Sequence, residues 1–151
     1  MKCLIQRVSQ ASVRILDAGD GEYISGEIGP GMLLFLGFEK GDTHSKLAYF
    51  LEKLPKLRIF SDTAGKMNRS ILDINGAFLV VSQFTLAGDC SKGNRPSFDN
   101  ALVPQEARTL YDCFLNTLAM HSGCPVKSGV FGASMAVSLV NDGPVTFMLS
   151  Q

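Results

Sequence analysis

The chain has 151 residues and carries 14 Lys plus Arg against 14 Asp plus Glu, so its formal net charge is zero. That balance excludes a global attraction to nucleic acid or to a membrane surface and leaves any RNA contact to a local patch. A hydrophobic fraction of 46% with 19% charged residues argues against disorder and fits one domain spanning residues 1–151.

The first seven residues, Met1-Lys2-Cys3-Leu4-Ile5-Gln6-Arg7, hold an apolar run too short for a signal peptide. No apolar stretch is long enough to span a membrane as a helix, so neither a membrane nor a DNA partner is expected. Cys3, Cys90, Cys113 and Cys124 form no C-x-x-C pair, and only His44 and His121 are available to complete a zinc site. We therefore expect structural thiols in a reducing cytoplasm, no metal and no cofactor.

Residues 2–8 and 11–16 alternate loosely and read as two strands, followed by a turn at Asp17-Ala18-Gly19-Asp20-Gly21 and a short strand over residues 23–28. After Gly29-Pro30-Gly31, the run Met32-Leu33-Leu34-Phe35-Leu36-Gly37-Phe38 is apolar on both faces, the pattern of a buried central strand. Asp42 or Thr43 can cap a helix that carries Leu47, Phe50, Leu51 and Leu54 on one face, and Pro55 should stop or kink it. Strands are predicted at 57–60 and 77–84 with a polar loop between them. Pro104 suits a helix start. Ala107, Leu110, Tyr111, Phe114, Leu115 and Leu118 then share a face, and Gly123 ends the helix. Three strands follow, at 126–130, 135–140 and 145–149. Two helices isolated among many strands predict a mixed, strand-rich α/β fold, layered, with the helices on one side.

Two segments concentrate polar chemistry. A buried run, Phe78-Leu79-Val80-Val81, passes directly into Ser82-Gln83-Phe84-Thr85, which puts hydroxyls, a carboxamide and backbone N–H groups at a strand end. Satisfaction of local backbone by the Ser and Thr explains the same pattern. Near the C-terminus, two strand-like runs flank Asn141-Asp142-Gly143-Pro144 and predict a β-hairpin. A proline directly after Asp-Gly is unusual, and it makes Gly143–Pro144 one of the few bonds open to the cis form. It is either a rigid turn exit or a pair of fixed carbonyls presented to a ligand. Lys92 and Arg95, on a polar loop, are placed to meet phosphates or simply solvent. No G-x-S-x-G elbow, P-loop or H-E-x-x-H occurs, and His121 with Cys124 at a helix end suits packing better than catalysis.

Ser82-Gln83-Phe84-Thr85-Leu86 together with Asn141-Asp142-Gly143-Pro144-Val145-Thr146 resembles the two signature motifs of the D-aminoacyl-tRNA deacylases. Ile5-Gln6-Arg7-Val8, Gly65-Lys66-Met67-Asn68, Arg95-Pro96-Ser97-Phe98 and Phe131-Gly132-Ala133 resemble further family segments in family order, across nearly the whole chain. The chain departs from the pattern at Ser134, where the family commonly has an acid.

The resemblance implies a layered β/β/α fold, with two sheets forming a flattened barrel-like core and two helices packed on one side. It also implies a homodimer that hydrolyses the ester between a D-amino acid and the 3′-terminal adenosine of tRNA, and glycyl-tRNA as well. Gly143 and Pro144, joined by a cis bond, would form a chirality filter reaching into the partner's pocket. Ser82, Gln83, Phe84 and Thr85 would hold the substrate, with the Phe84 and Thr85 N–H groups on the oxyanion and the RNA 2′-hydroxyl assisting hydrolysis; Thr85 as a covalent nucleophile is the alternative, with no base evident beside it in the sequence. Phe131 and Met135 would shape the adenosine pocket, and Arg7 would steady the tip. Two other readings fit the residues: a non-catalytic dimeric module that binds RNA ends, and a deacylase of relaxed chirality with a trans Gly143–Pro144 bond.

Overall fold

A computed structural model describes residues 1–17, 19 and 21–151. The expected turn at 17–21 includes Ala18 and Asp20, which lie outside the described residues.

Strand β1 (Lys2–Ile15) organises the fold. Residues 2–8 and 11–15 form this one strand, where two were expected, because it has partners along its whole length. On one edge its N-terminal half pairs with β3 (Gly31–Gly37) and its C-terminal half with β2 (Tyr23–Ile28), both antiparallel. Parallel pairing then adds β6 (Ala77–Ser82) to β3, and β7 (Val126–Ser128) to β6. Gly26 of β2 comes so close to β7 and β6 that a Cβ there would stand 2.9 Å from the Ser128 carbonyl oxygen and 3.0 Å from Leu79 Cδ1. The sheet thus curls into a nearly closed barrel.

The apolar run of β3 is buried on both faces, as its pattern predicts. Met32, Leu34 and Leu36 face the helices, α1 (His44–Lys56) and α2 (Pro104–Ser122), with Phe78 and Val80 beside them. Leu33 and Leu79 point the other way, into the barrel, against Val8, Val13 and Ile28. Alternation along each strand builds both cores at once. The helices meet expectation. Leu47, Phe50 and Leu54 of α1 are buried and Pro55 sits in its last turn, while Gly123 closes α2 with a φ of 67°. Thr43 is the N-cap of α1 but its hydroxyl turns to Ser45, and Asp42 points elsewhere.

Several strand expectations are corrected. The 57–60 strand shrinks to β4 (Phe60–Ser61), because Arg58 leaves the line to bond Asn68, and the expected polar loop contains its partner β5 (Met67–Arg69). Strand β6 stops at Ser82 and gives way to a 3₁₀ turn over Phe84–Ala87; β7 ends at Ser128.

The largest correction concerns the C-terminus. Residues 135–150 are one strand, β8 (Met135–Ser150), antiparallel to β1 along the free edge of that strand. The pairing runs from Lys2 opposite Ser150 to Gln6 opposite Thr146, and resumes at Val8 opposite Asn141. Residues 142–145 have no partner on β1 and stand out of the ladder as a tip. A continuous edge offers both apolar runs a main-chain partner, which a local hairpin can give only to each other.

Candidate active site

A cleft of about 600 Å³ opens where β3 and β6 end. Ser82 and Gln83 lie at its edge, then the chain tightens into the Phe84–Ala87 turn. The Gln83 N–H donates to the Leu36 carbonyl at 2.7 Å. A Cβ on Gly37 would stand 2.7 Å from Leu86 Cβ and 2.9 Å from the Gln83 oxygen, so the turn lies directly on the end of β3 and a larger residue would lift it. The Leu86 and Gly88 N–H groups close the turn onto Gln83 and Thr85. The N–H groups of Phe84 and Thr85 have no acceptor among the described residues.

The facing wall is Phe98, Ala101 and Leu102, leading into Pro104 at the start of α2. Phe98 meets the Phe84 ring edge-on at 5.0 Å between centroids. Phe131 and Met135 form the third side. Phe131 leans on Tyr111 at 5.7 Å, and the Tyr111 hydroxyl donates to the Val80 carbonyl at 2.9 Å. Burial pushes that phenol well above its ordinary pKa, so it stays a neutral donor. Gly129 allows Met135 its place, since a Cβ there would be 2.5 Å from the Met135 sulfur.

Among the described residues, no acid, base or thiol lines the cleft. Its polar groups are the Ser82 hydroxyl, the Gln83 carboxamide and backbone. The Thr85 hydroxyl accepts from Gln83 Nε2 at 2.5 Å, and no carboxylate or imidazole bonds to it among the described residues. His44, His121 and Cys113 line a separate groove between the two helices, and Cys124 is half-buried with its thiol pKa raised by burial. Among the described residues no group of three or more His, Cys, Asp or Glu side chains is placed to hold a metal ion.

Arg7, Gly143 and Pro144 form a second cluster and do not line the cleft. The Arg7 side chain is buried. Its Nε donates to the Asp142 carbonyl at 2.9 Å and lies 3.1 Å from the Asp142 carboxylate, while Nη1 donates to the Ile59 carbonyl at 2.7 Å. Asn141 closes the base of the tip, accepting from the Val145 N–H at 2.9 Å and donating to the Thr146 hydroxyl at 2.8 Å. Gly143 has a φ of 129°, and the Gly143–Pro144 bond is cis. Both tip residues are exposed.

The site residues read from the sequence thus fall into two places. Ser82, Gln83, Phe84, Phe131 and Met135 line one cleft with Thr85 beside it, and Arg7, Gly143 and Pro144 make the tip. Sequence reading missed the wall of Phe98, Ala101 and Leu102, which follows no periodic pattern; Phe98 was visible only as the end of Arg95-Pro96-Ser97-Phe98. Asp42, offered by the sequence as a helix cap, instead accepts from the Met1 ammonium at 2.8 Å.

The D-Tyr-tRNA(Tyr) deacylase family matches residues 4–150. The chain belongs to that family. Among its relatives, the D-aminoacyl-tRNA deacylase of Geobacter sulfurreducens is 54% identical over 149 residues, which cover 99% of this chain and 94% of the relative. The enzyme of the same description from Chlorobaculum tepidum is 51% identical, covering 99% and 96%. A solved structure described as the c-Myc DNA unwinding element binding protein superposes with a TM-score of 0.89 at 38% identity, covering 100% of this chain and 99% of the other. Another, described as a probable eukaryotic D-amino acid tRNA deacylase, shares the fold with a TM-score of 0.82 at 19% identity, covering 98% and 97%.

Proposed function

We propose that this deacylase-family enzyme hydrolyses the ester between a D-amino acid and the 3′-terminal adenosine of tRNA, in the cytoplasm, as a homodimer in which the tip of each protomer enters the cleft of its partner. The observation that carries the reading is the pairing of two halves that do not meet within one chain. A cleft with two unpartnered N–H groups lies on one, and a braced backbone tip projects from the other.

The strand bearing the tip supports association. No residue of β8 is fully buried, and Val140, Phe147 and Met148 are exposed along it. An unpaired edge with apolar side chains is a template for a second chain.

The cleft suits a nucleoside better than a charged ligand. Phe84, Phe131 and Met135 offer faces for a base, and Ser82 and Gln83 offer hydrogen bonds for its edge or ribose. An aminoacyl ester placed against the turn would direct its carbonyl oxygen at the Phe84 and Thr85 N–H groups. As water attacks, the carbonyl oxygen becomes an anion held by those donors. Collapse breaks the bond to the ribose 3′-oxygen, which takes up a proton, and the vicinal 2′-hydroxyl is placed to relay it. Since no base among the described residues bonds Thr85, a covalent role for its hydroxyl lacks an activating partner. Lys92 and Arg95, exposed on the loop before Phe98, suit the phosphates of the RNA end.

Rejection of L-amino acids would fall to the Gly143 and Pro144 backbone. Exchange of D for L swaps the hydrogen and the side chain on Cα, so a rigid wall that admits only hydrogen rejects every L side chain without reading which it is. Glycine has no side chain to exclude, so glycyl-tRNA is a substrate under this reading.

Incubation with D-tyrosyl-, L-tyrosyl- and glycyl-tRNA tests the proposal. Release of D-tyrosine and glycine only is expected. Release of L-tyrosine as well would remove the filter, and release of none would favour the RNA-end-binding module. In Thr85→Ala, near-normal turnover would eliminate the nucleophile alternative.

A further inference from the structure

Behind the cleft, three side chains from separate parts of the chain share one oxygen. Lys2, at the start of β1, sends Nζ to within 3.1 Å of the Leu86 carbonyl oxygen, in the turn that carries the two free N–H groups. The same ammonium lies 3.1 Å from Glu39 Oε1. That oxygen also accepts from Asn100 Nδ2 at 2.8 Å, on the segment forming the facing wall.

Glu39 is itself anchored. Its N–H donates to Asp42 Oδ2 at 2.7 Å, and it forms an isolated bridge with Ala101. Bonds from the Lys40 N–H to the Asn100 carbonyl and from the Leu102 N–H to the Phe38 carbonyl, at 2.9 and 3.0 Å, sew the wall to the end of β3. The turn on the other side meets the end of β3 at Leu36 and Gly37. Lys2 is the charged link from Leu86 to the anchored wall.

We propose that Lys2 and Glu39 are positioning residues of the deacylase site: their ion pair ties the Leu86 carbonyl to Asn100, and so fixes the oxyanion donors relative to the wall they face. A surface ion pair by itself contributes little. This one differs because Glu39 is only 19% exposed on its side chain and both partners also hold backbone-linked groups on opposite sides of a cleft. Small displacements of donors cost turnover more than binding, since the donors are needed most when charge develops.

The inference rests on the deacylase reading, and two measurements separate them. In Lys2→Met, which keeps the aliphatic stem, and in Asn100→Ala, kcat for D-tyrosyl-tRNA should fall on the order of fivefold with KM within about twofold. Lys2→Arg should restore most of it. Lys2 and Asn100 bond to the same oxygen and not to each other, so the double variant should lose scarcely more than either single variant. Multiplying losses, or an unchanged kcat, would overturn the link. In the ligand-free protein, backbone amide shifts of residues 84–86 should move in both single variants; unmoved shifts would overturn the positioning role whatever the activity. Wild-type protein that releases no D-tyrosine would instead overturn the deacylase reading.

Discussion

The cleft and the tip are stabilised in opposite ways. Side chains wall the cleft, two aromatic pairs set its sides, and a charged network braces it from behind. The tip presents backbone, and one buried arginine with one asparagine holds it. A side-chain wall can be tuned residue by residue to a fixed shape, which suits the part of a substrate that never varies. A backbone wall is blind to side-chain identity, which suits a filter against a whole class of compounds. The contrast also separates where damage should register: loss of the buried Asp42 cluster behind the cleft should fall mainly on folding, and faults at the tip mainly on turnover.

Asp42 offers the largest effect on the cleft side. Its carboxylate is buried against the Met1 ammonium, Lys46 and the Glu39 N–H, and removing one member of such a cluster strands the others. Asp42→Ala should cost about 3–5 kcal/mol in denaturant unfolding. Burial raises the pKa of this carboxyl, but hydrogen bonds from the Glu39 N–H, the terminal ammonium and Lys46 outweigh it and the net shift is downward. A depressed folded pKa adds stability above the unfolded value of about 4 and loses it as pH falls through the folded value. Wild-type stability should therefore fall below about pH 4, and Asp42→Ala should flatten that limb.

At the tip, Gly143→Ala should reverse the pattern. The left-handed φ disfavours any side chain, and the added methyl would stand 2.7 Å from Val145 Cγ2 and 3.0 Å from Arg7 Nη2. Deacylation of D-tyrosyl-tRNA should drop on the order of 100-fold, as for a displacement of about 1 Å at a reacting site. The strained backbone should cost about 1–2 kcal/mol in unfolding, well below the loss for Asp42→Ala. A comparable loss of stability would erase the distinction drawn between the two regions.

Phe98→Ala tests the cleft wall without touching the network. Loss of the edge-on contact frees Phe84 and should raise KM by about tenfold, the equivalent of one aromatic pair. Gly129→Ala should have the mildest consequence. It pushes on a flexible methionine, so a rise in KM of about threefold is expected in steady-state assays. If the Gly129 change outweighed that at Phe98, the adenosine side of the cleft would matter more than the aromatic pair.

Much of this was legible in the chain itself. Spacing alone located both helices to within a residue or two, because each buries a single stripe and is punctuated by Pro104, Pro55 or Gly123. Both polar segments were also visible, since hydrogen-bonding residues at the end of an apolar strand and a Gly-Pro pair between apolar runs are local signals. Local signals also misled: Asn141-Asp142-Gly143-Pro144 carries every mark of a hairpin turn, yet its flanking runs are halves of one strand. That outcome depends on β1, more than a hundred residues away, offering an unbroken edge. The same is true of the wall at Phe98, the link from Lys2 through Glu39 to Asn100, and the burial of Arg7 beneath the tip. Sequence by itself determined the periodic elements and the chemistry available in each segment, because both depend on neighbours along the chain. Only tertiary structure decided which segments share an edge, a cleft or an oxygen atom, because those contacts depend on non-local pairing that no local pattern encodes.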